Sequence, residues 1–175
     1  MLILDAPCGY GRFSALALEQ PAFLVSVDIS QSMVSRALEK VESGPGSGAA
    51  HRETAGVVAD LKSGLPFKAD AFDMSLSMRF FHHLHREEDR LAVVAELCRV
   101  SKGPVIISYY RMSRLHAWQR KVRSALKKRP YQVKMLSSRE FEREAAGSGL
   151  RLVRSFSLFR GLHAQCIGVF EKIKM

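Results

Sequence analysis

Apolar and polar positions along this chain follow two periods in turn. Short apolar or β-branched runs, the mark of strands buried on both faces, alternate with stretches in which apolar residues recur every three or four positions, the mark of helices. Leu2–Asp5 reads as a first strand, followed by a glycine-containing turn and a helix from about Arg12 to Glu19. Phe23–Asp28 reads as a second strand. Met33, Val34, Ala37, Leu38 and Val41 then predict a helix from about Gln31 to Val41. Ser43-Gly-Pro-Gly-Ser-Gly48 is a surface loop by composition. Gly56–Ala59 and Phe72–Ser77 read as strands three and four. A helix from about Glu87 to Arg99 would place Leu91, Val94, Ala95 and Cys98 on one face, and Pro104–Tyr109 reads as strand five. Ser137 and Glu140 have the spacing of a capping box and predict a helix start, with the end near Gly147–Gly149. Leu150–Ser157 and Ala164–Glu171 close the pattern as two strands joined by a short link, hence antiparallel. The fold expected is α/β: a doubly wound, mostly parallel seven-stranded sheet with helices on both faces and an antiparallel strand near one edge.

Composition narrows the class. A chain of 175 residues with 47% apolar and 25% charged content is expected to form a single domain with its own core. No apolar run approaches the ~18–20 residues that cross a bilayer. The N-terminal Met-Leu-Ile-Leu-Asp lacks the basic start of a secretory signal. Cys8, Cys98 and Cys166 show no metal or CxxC spacing, so reduced thiols and a cytoplasmic location are expected.

The formal charge is +10, and its distribution matters more than its size. From Arg111 to Lys134 there are nine basic residues and no acidic one; the rest of the chain holds 18 basic against 17 acidic residues. Within that block Leu115, Trp118, Val122, Ala125 and Leu126 follow helical spacing, so a basic amphipathic helix is expected, inserted at about 111–135 after strand five. It reads either as a solvated face or as a cap over an acceptor pocket. In the second reading its partner is an anionic small molecule, a membrane surface touched peripherally, or RNA, with RNA ranked last because no RNA-binding module is visible.

In doubly wound sheets ligands bind beyond the carboxyl ends of the strands, near the point where strand order reverses. The unusual residues of this chain fall there: Asp5 and the turn Ala6-Pro7-Cys8-Gly9-Tyr10-Gly11, then Asp28, Asp60, Met78–His83, and Tyr109 with Tyr110. Gly9 and Gly11 would let a ligand approach the main chain. The turn departs from the dinucleotide fingerprint, since Ser14 stands at its third glycine, and Asp5 would repel a pyrophosphate. A ligand carrying positive charge fits better than NAD.

The stretch Leu4-Asp5-Ala6-Pro7-Cys8-Gly9-Tyr10-Gly11-Arg12-Phe13 resembles the first motif of class I S-adenosylmethionine-dependent methyltransferases of the small-molecule type. Val27-Asp28-Ile29-Ser30-Gln31-Ser32-Met33 is similar to their second element. Ala59-Asp60-Leu61, Leu65-Pro66-Phe67, Phe72-Asp73 and Phe81-His82-His83-Leu84 resemble the path through strands three and four. The resemblance covers about residues 2–110 and implies a Rossmann-like methyltransferase fold with S-adenosyl-L-methionine as cofactor. It implies that Gly9 and Gly11, with Asp5 and Ala6 nearby, lie against the methionine part, and that Asp28 accepts from both ribose hydroxyls. Ile29 and Leu61 would sandwich the adenine, Asp60 would accept from its amine, and Met33, Met78 and Arg79 would line the pocket. As plainer alternatives, Asp5, Asp28 and Asp60 could simply cap turns.

The activity implied is methyl transfer to a small-molecule or lipid-like acceptor by in-line displacement. His82, His83, Tyr109 and Tyr110 are the candidates for a base, and for the His pair a packing role beneath the cofactor is the preferred reading. No Asn/Asp-Pro-Pro-Tyr motif follows strand four, which speaks against amino-methylation of bases or glutamine, and no cysteine pair is placed for cytosine C5 chemistry. Such enzymes usually carry cover helices before the first strand, which here begins at Leu2. Absence of those helices is expected; the basic helix serves as lid instead, or the chain is a fragment, or its start is misplaced. A partner-dependent cofactor-binding module without catalysis of its own is therefore the alternative function, and an RNA methyltransferase the lesser one.

Overall fold

The computed structural model describes residues 1–14, 22–43, 53–111, 134–157 and 164–173. The helix expected to run to Glu19 passes out of the described residues after Ser14, and the Gly/Ser/Pro loop and the expected basic helix lie outside them almost entirely.

Seven strands form one sheet: β1 (Leu2–Asp5), β2 (Phe23–Asp28), β3 (Glu53–Val58), β4 (Met74–Ser77), β5 (Val105–Tyr110), β6 (Leu150–Ser157) and β7 (Gln165–Lys172). Their spatial order is β3-β2-β1-β4-β5-β7-β6. The first five are parallel, while β7 runs antiparallel to both β5 and β6. The order reverses between β1 and β4, which places a crevice above their carboxyl ends.

Side chains alternate across the sheet, and the alternation sorts the core into two layers. Ile3, Leu24 and Leu76 face one side, where helix α1 (Gln31–Glu42) brings Val41 against them. Leu4, Val25, Val105 and Ile107 face the other, covered by α2 (Glu87–Val100) and α3 (Ser138–Gly147) with Val94, Leu97, Val100 and Phe141. Helices therefore lie on both faces, as expected.

Several boundaries differ from the sequence reading. β3 starts three residues earlier than Gly56, because an edge strand tolerates the polar Glu53 and Thr54. β4 starts at Met74; Phe72 pairs alone with Ser101, and Asp73 turns aside to accept the Leu2 N–H at 2.6 Å and the Lys102 Nζ at 2.9 Å. In α2 the buried face is Arg90, Val93, Val94, Leu97 and Val100, whereas Ala95 is exposed. The sequence reading missed this stripe because a charged residue stands in it. Arg90 is 3% exposed and pairs with the buried Glu144 of α3, Nε to Oε2 at 2.8 Å and Nη2 to Oε1 at 2.6 Å. At α3 the capping box forms as expected: the Glu140 N–H donates to Ser137 Oγ, and the Ser137 N–H donates to the Glu140 carboxylate.

Candidate active site

The turn after β1 is tied to both neighbouring strands. The Ala6 N–H donates to the Leu76 carbonyl of β4 at 2.9 Å, and the Cys8 N–H donates to the Val27 carbonyl of β2 at 2.8 Å. Gly9 (φ +52°) and Gly11 (φ +66°) both sit in the left-handed region, for different purposes. A Cβ on Gly9 would meet nothing within 4 Å, so its main chain borders open space. A Cβ on Gly11 would stand 2.8 Å from the Cα of Ala37, so this glycine lets the turn press against α1. Asp28 closes the turn from β2: Oδ2 accepts the Gly9 N–H and Oδ1 the Ser30 N–H, each at 3.0 Å. Each oxygen keeps a further lone pair for a ligand hydroxyl.

Beneath this turn Asp5 is 1% exposed and accepts one hydrogen bond, from Ser14 Oγ at 2.9 Å. Burial lifts its carboxyl from the ordinary 3.8 to about 7; the Ser14 bond opposes the rise, and the Asp28 carboxylate adds to it. Ser26, level with Asp5 across β1 and β2, keeps its Oγ buried with no hydrogen-bond partner among the described residues. Burial, and after it the same two carboxyl groups, push the Cys8 thiol up to about 12, which leaves it a packing residue against Val34 and Ala37.

The third wall follows β4. Arg79 holds φ +59°, a strained value for a residue with a Cβ, and its N–H donates to Ser108 Oγ of β5 at 2.6 Å. A short 3-10 turn, Phe81–His83, comes next. Phe81 drops into the core against Phe141 with ring centroids 5.3 Å apart. His82 is 8% exposed, its ring 3.9 Å from that of His83 and 4.8 Å from that of Tyr110. Burial, then the charges of His83 and Arg79, hold the His82 imidazole down at about 4.

These three walls enclose a cavity of about 460 Å³, large enough for a nucleoside-sized ligand. Of the residues singled out in the sequence, Gly9, Asp28, Ile29, Met33, Met78, Arg79, His82 and His83 line it. Asp5, Ala6 and Gly11 support its floor without lining it. Asp60 instead closes its own turn, accepting from the Lys62 N–H and Ser63 Oγ, and Leu61 is buried in the core. Tyr109 is 3% exposed and packs on Phe141, because every second residue of β5 faces α2 and α3; Tyr110 faces the other way, onto His82. Pro7, Cys8, Tyr10, Arg12, Phe13, Ser30 and Phe80 also line the cavity; in the sequence they stand within the quoted motifs without being given a site role. Their signal was adjacency to the nominated glycines, acid and histidines.

Residues 3–103 match the family model described as a methyltransferase domain. The chain belongs to the class I S-adenosylmethionine-dependent methyltransferases. A methyltransferase of Methanosarcina mazei, described as S-adenosylmethionine-dependent, shares the fold with a TM-score of 0.80 at 14% identity, over 99% of this chain and 93% of that one. Magnesium protoporphyrin IX methyltransferase from Synechocystis, solved with S-adenosylhomocysteine, superposes with a TM-score of 0.78 at 16% identity, over 98% of this chain and 74% of that one. Among curated proteins, a tRNA (carboxymethyluridine(34)-5-O)-methyltransferase of Arabidopsis thaliana is 32% identical over 111 residues, 62% of this chain and 24% of that protein. One of the same description from Xenopus tropicalis is 30% identical over 109 residues, 62% of this chain and 15% of that protein. The chain thus spans about a quarter or less of the length of these two relatives.

The residues of this methyltransferase domain fit its cofactor. The space in front of Gly9 admits a ligand against the main chain, and the free lone pairs of Asp28 suit paired ribose hydroxyls. Asp5, raised by burial with no cation beside it among the described residues, suits a ligand that brings positive charge. Among the described residues no cluster of His, Cys, Asp or Glu could hold a metal ion, and no helix is long and apolar enough to cross a membrane.

Proposed function

We propose that this methyltransferase domain acts on an acceptor that arrives already ionised, a carboxylate oxygen. When bound, S-adenosylmethionine supplies an activated methyl group on a sulfonium. Asp28 holds and orients the cofactor, while Gly9 and Ile29 border its path along the turn. The observation that carries the acceptor reading is the polarity of the cavity. Arg12 and Arg79 are exposed at its rim, and neither has an ion-pair partner among the described residues. The buried ring beside Arg79, His82, is held at about 4, which makes its imidazole a weak base near pH 7. Methylation of an alcohol needs a base in place. A carboxylate, with an ordinary pKa of about 4, needs none, and it is drawn to guanidinium groups.

The curated relatives carry the same chemistry in their names, since a carboxymethyl group offers a carboxylate oxygen. They also favour a second element of the reading, that the carboxylate is borne on RNA. The nine basic residues between Arg111 and Lys134 would supply phosphate contacts. RNA thus moves ahead of the free small-molecule or lipid acceptor expected from the sequence. The test is to incubate the protein with methyl-labelled cofactor and either tRNA bearing carboxymethyluridine or the free nucleoside. Label that is incorporated and then released by mild alkali identifies a carboxylate ester. Alkali-stable label would mean an ether or amine product and sink the proposal.

A further inference from the structure

We propose that His82 positions the acceptor, presenting a neutral Nε2–H donor to its carboxylate beside the Arg79 guanidinium. This rests on the carboxylate reading above and names the residue that reads the acceptor. The first observation is that His82 lines the cavity, yet its Nδ1 is sealed from solvent and has no hydrogen-bond partner among the described residues. A neutral imidazole carries a proton on one nitrogen and a lone pair on the other. A sealed N–H without an acceptor forfeits a strong hydrogen bond, so the cheaper arrangement leaves the lone pair on the sealed Nδ1. The proton then sits on Nε2, the other ring nitrogen of a side chain that lines the cavity. A nitrogen that carries a proton donates and cannot act as a base. This agrees with an imidazole that burial, above all, keeps uncharged.

The second observation is how firmly the ring is held. His82 lies between His83 and Tyr110, and its carbonyl accepts the Lys134 N–H at 3.0 Å. The turn that carries it begins at Arg79, whose left-handed backbone is held by Ser108. Arg90 binds the carbonyls of Leu84 and His85 at its far end, both at 3.1 Å. A donor fixed in this way is pre-oriented, and the strain at Arg79 is tolerated where it sets a functional wall. Of the cavity's polar side chains, the Asp28 carboxylate comes from the end of β2, while Arg79 and His82 come from the turn after β4.

Nitrogen-15 NMR on the full chain tests the tautomer without any acceptor. The expected result is a neutral His82 with its proton on Nε2 between pH 6 and 8. A proton on Nδ1, or an imidazole that gains charge near pH 6.5, overturns the proposal. A second arm measures carboxymethyluridine nucleoside binding in the presence of saturating S-adenosylhomocysteine, beside the uncharged amide of the same nucleoside. His82→Phe should keep the ring packing and weaken the carboxylate nucleoside by roughly tenfold or more, the value of one hydrogen bond to a charged group. It should barely alter the amide, and His82→Gln, which restores a donor, should recover part of the loss. Equal binding of the carboxylate nucleoside by His82→Phe and wild type overturns the role of His82 while leaving the carboxylate reading intact. Equal binding of carboxylate and amide by the wild type overturns the carboxylate reading itself. If His82→Phe does not fold, the tautomer and the glutamine variant still decide.

Discussion

Asp5 shows how one buried side chain can be costly to the fold. Its folded pKa of about 7 lies above the unfolded 3.8, so the folded state binds the proton more tightly. Asp5 therefore does not weaken the fold below about pH 4. It subtracts stability progressively as pH rises to about 7, with little further change above. The penalty is on the order of 4 kcal/mol at most, from about 1.4 kcal/mol per pKa unit. Asp5→Asn keeps an acceptor for Ser14 and removes the charge. Urea unfolding of the free protein should show the variant gaining on the wild type between pH 5 and pH 8. A constant difference across that range would mean that Asp5 is not lifted by burial. Asp5 and Asp28 stood out in the sequence because acids at strand ends beside glycines are unusual. That Gly11 serves α1 while Gly9 borders the cavity was not legible, since it depends on which main chain each glycine meets.

At the scale of elements, the turn after β4 is held in place by a charge pair joining α2 to α3. Arg90 and Glu144 are both buried and joined by two hydrogen bonds, and Arg90 also holds the Leu84 and His85 carbonyls. Glu144→Gln leaves the guanidinium buried without its counter-charge and is expected to cost about 3–5 kcal/mol. The shift in urea midpoint measures it, and a loss under about 1 kcal/mol would show that water or a rearranged partner replaces the carboxylate. The capping box of α3 was legible because its signal lies within four consecutive residues. The buried face of α2 was not, because an arginine joins a core only when a distant glutamate meets it, and Glu144 is 54 residues away.

For the whole molecule the unequal spread of charge is the leading feature. Nine of the ten excess positive charges arise between Arg111 and Lys134, next in sequence to the carboxyl end of β5. If RNA carries the acceptor, affinity should fall steeply with salt. Charge reversal at Lys127, Lys128 and Arg129 should weaken binding and lower the slope of log affinity against log salt by about 2, near 0.7 for each lost contact to single-stranded RNA. Filter binding from low to moderate salt measures this. An unchanged slope would remove these three residues from any RNA contact.

The places of the seven strands and of the described helices to within about three residues, the parallel character of the first five strands and the acid-and-glycine turn were determined by the sequence alone. Each is written in local periodicity or in short motifs whose physics involves neighbouring residues. The tertiary structure decided which strand ends meet. It brings Asp28, Met78, Arg79 and His82 around one cavity, while Asp60 closes its own turn and Tyr109 joins the core. It also decided that His82 stays neutral with Nδ1 sealed. These outcomes depend on strand order, on which side of the sheet an odd or even residue faces, and on burial by partners remote in the chain, and no local pattern encodes any of the three.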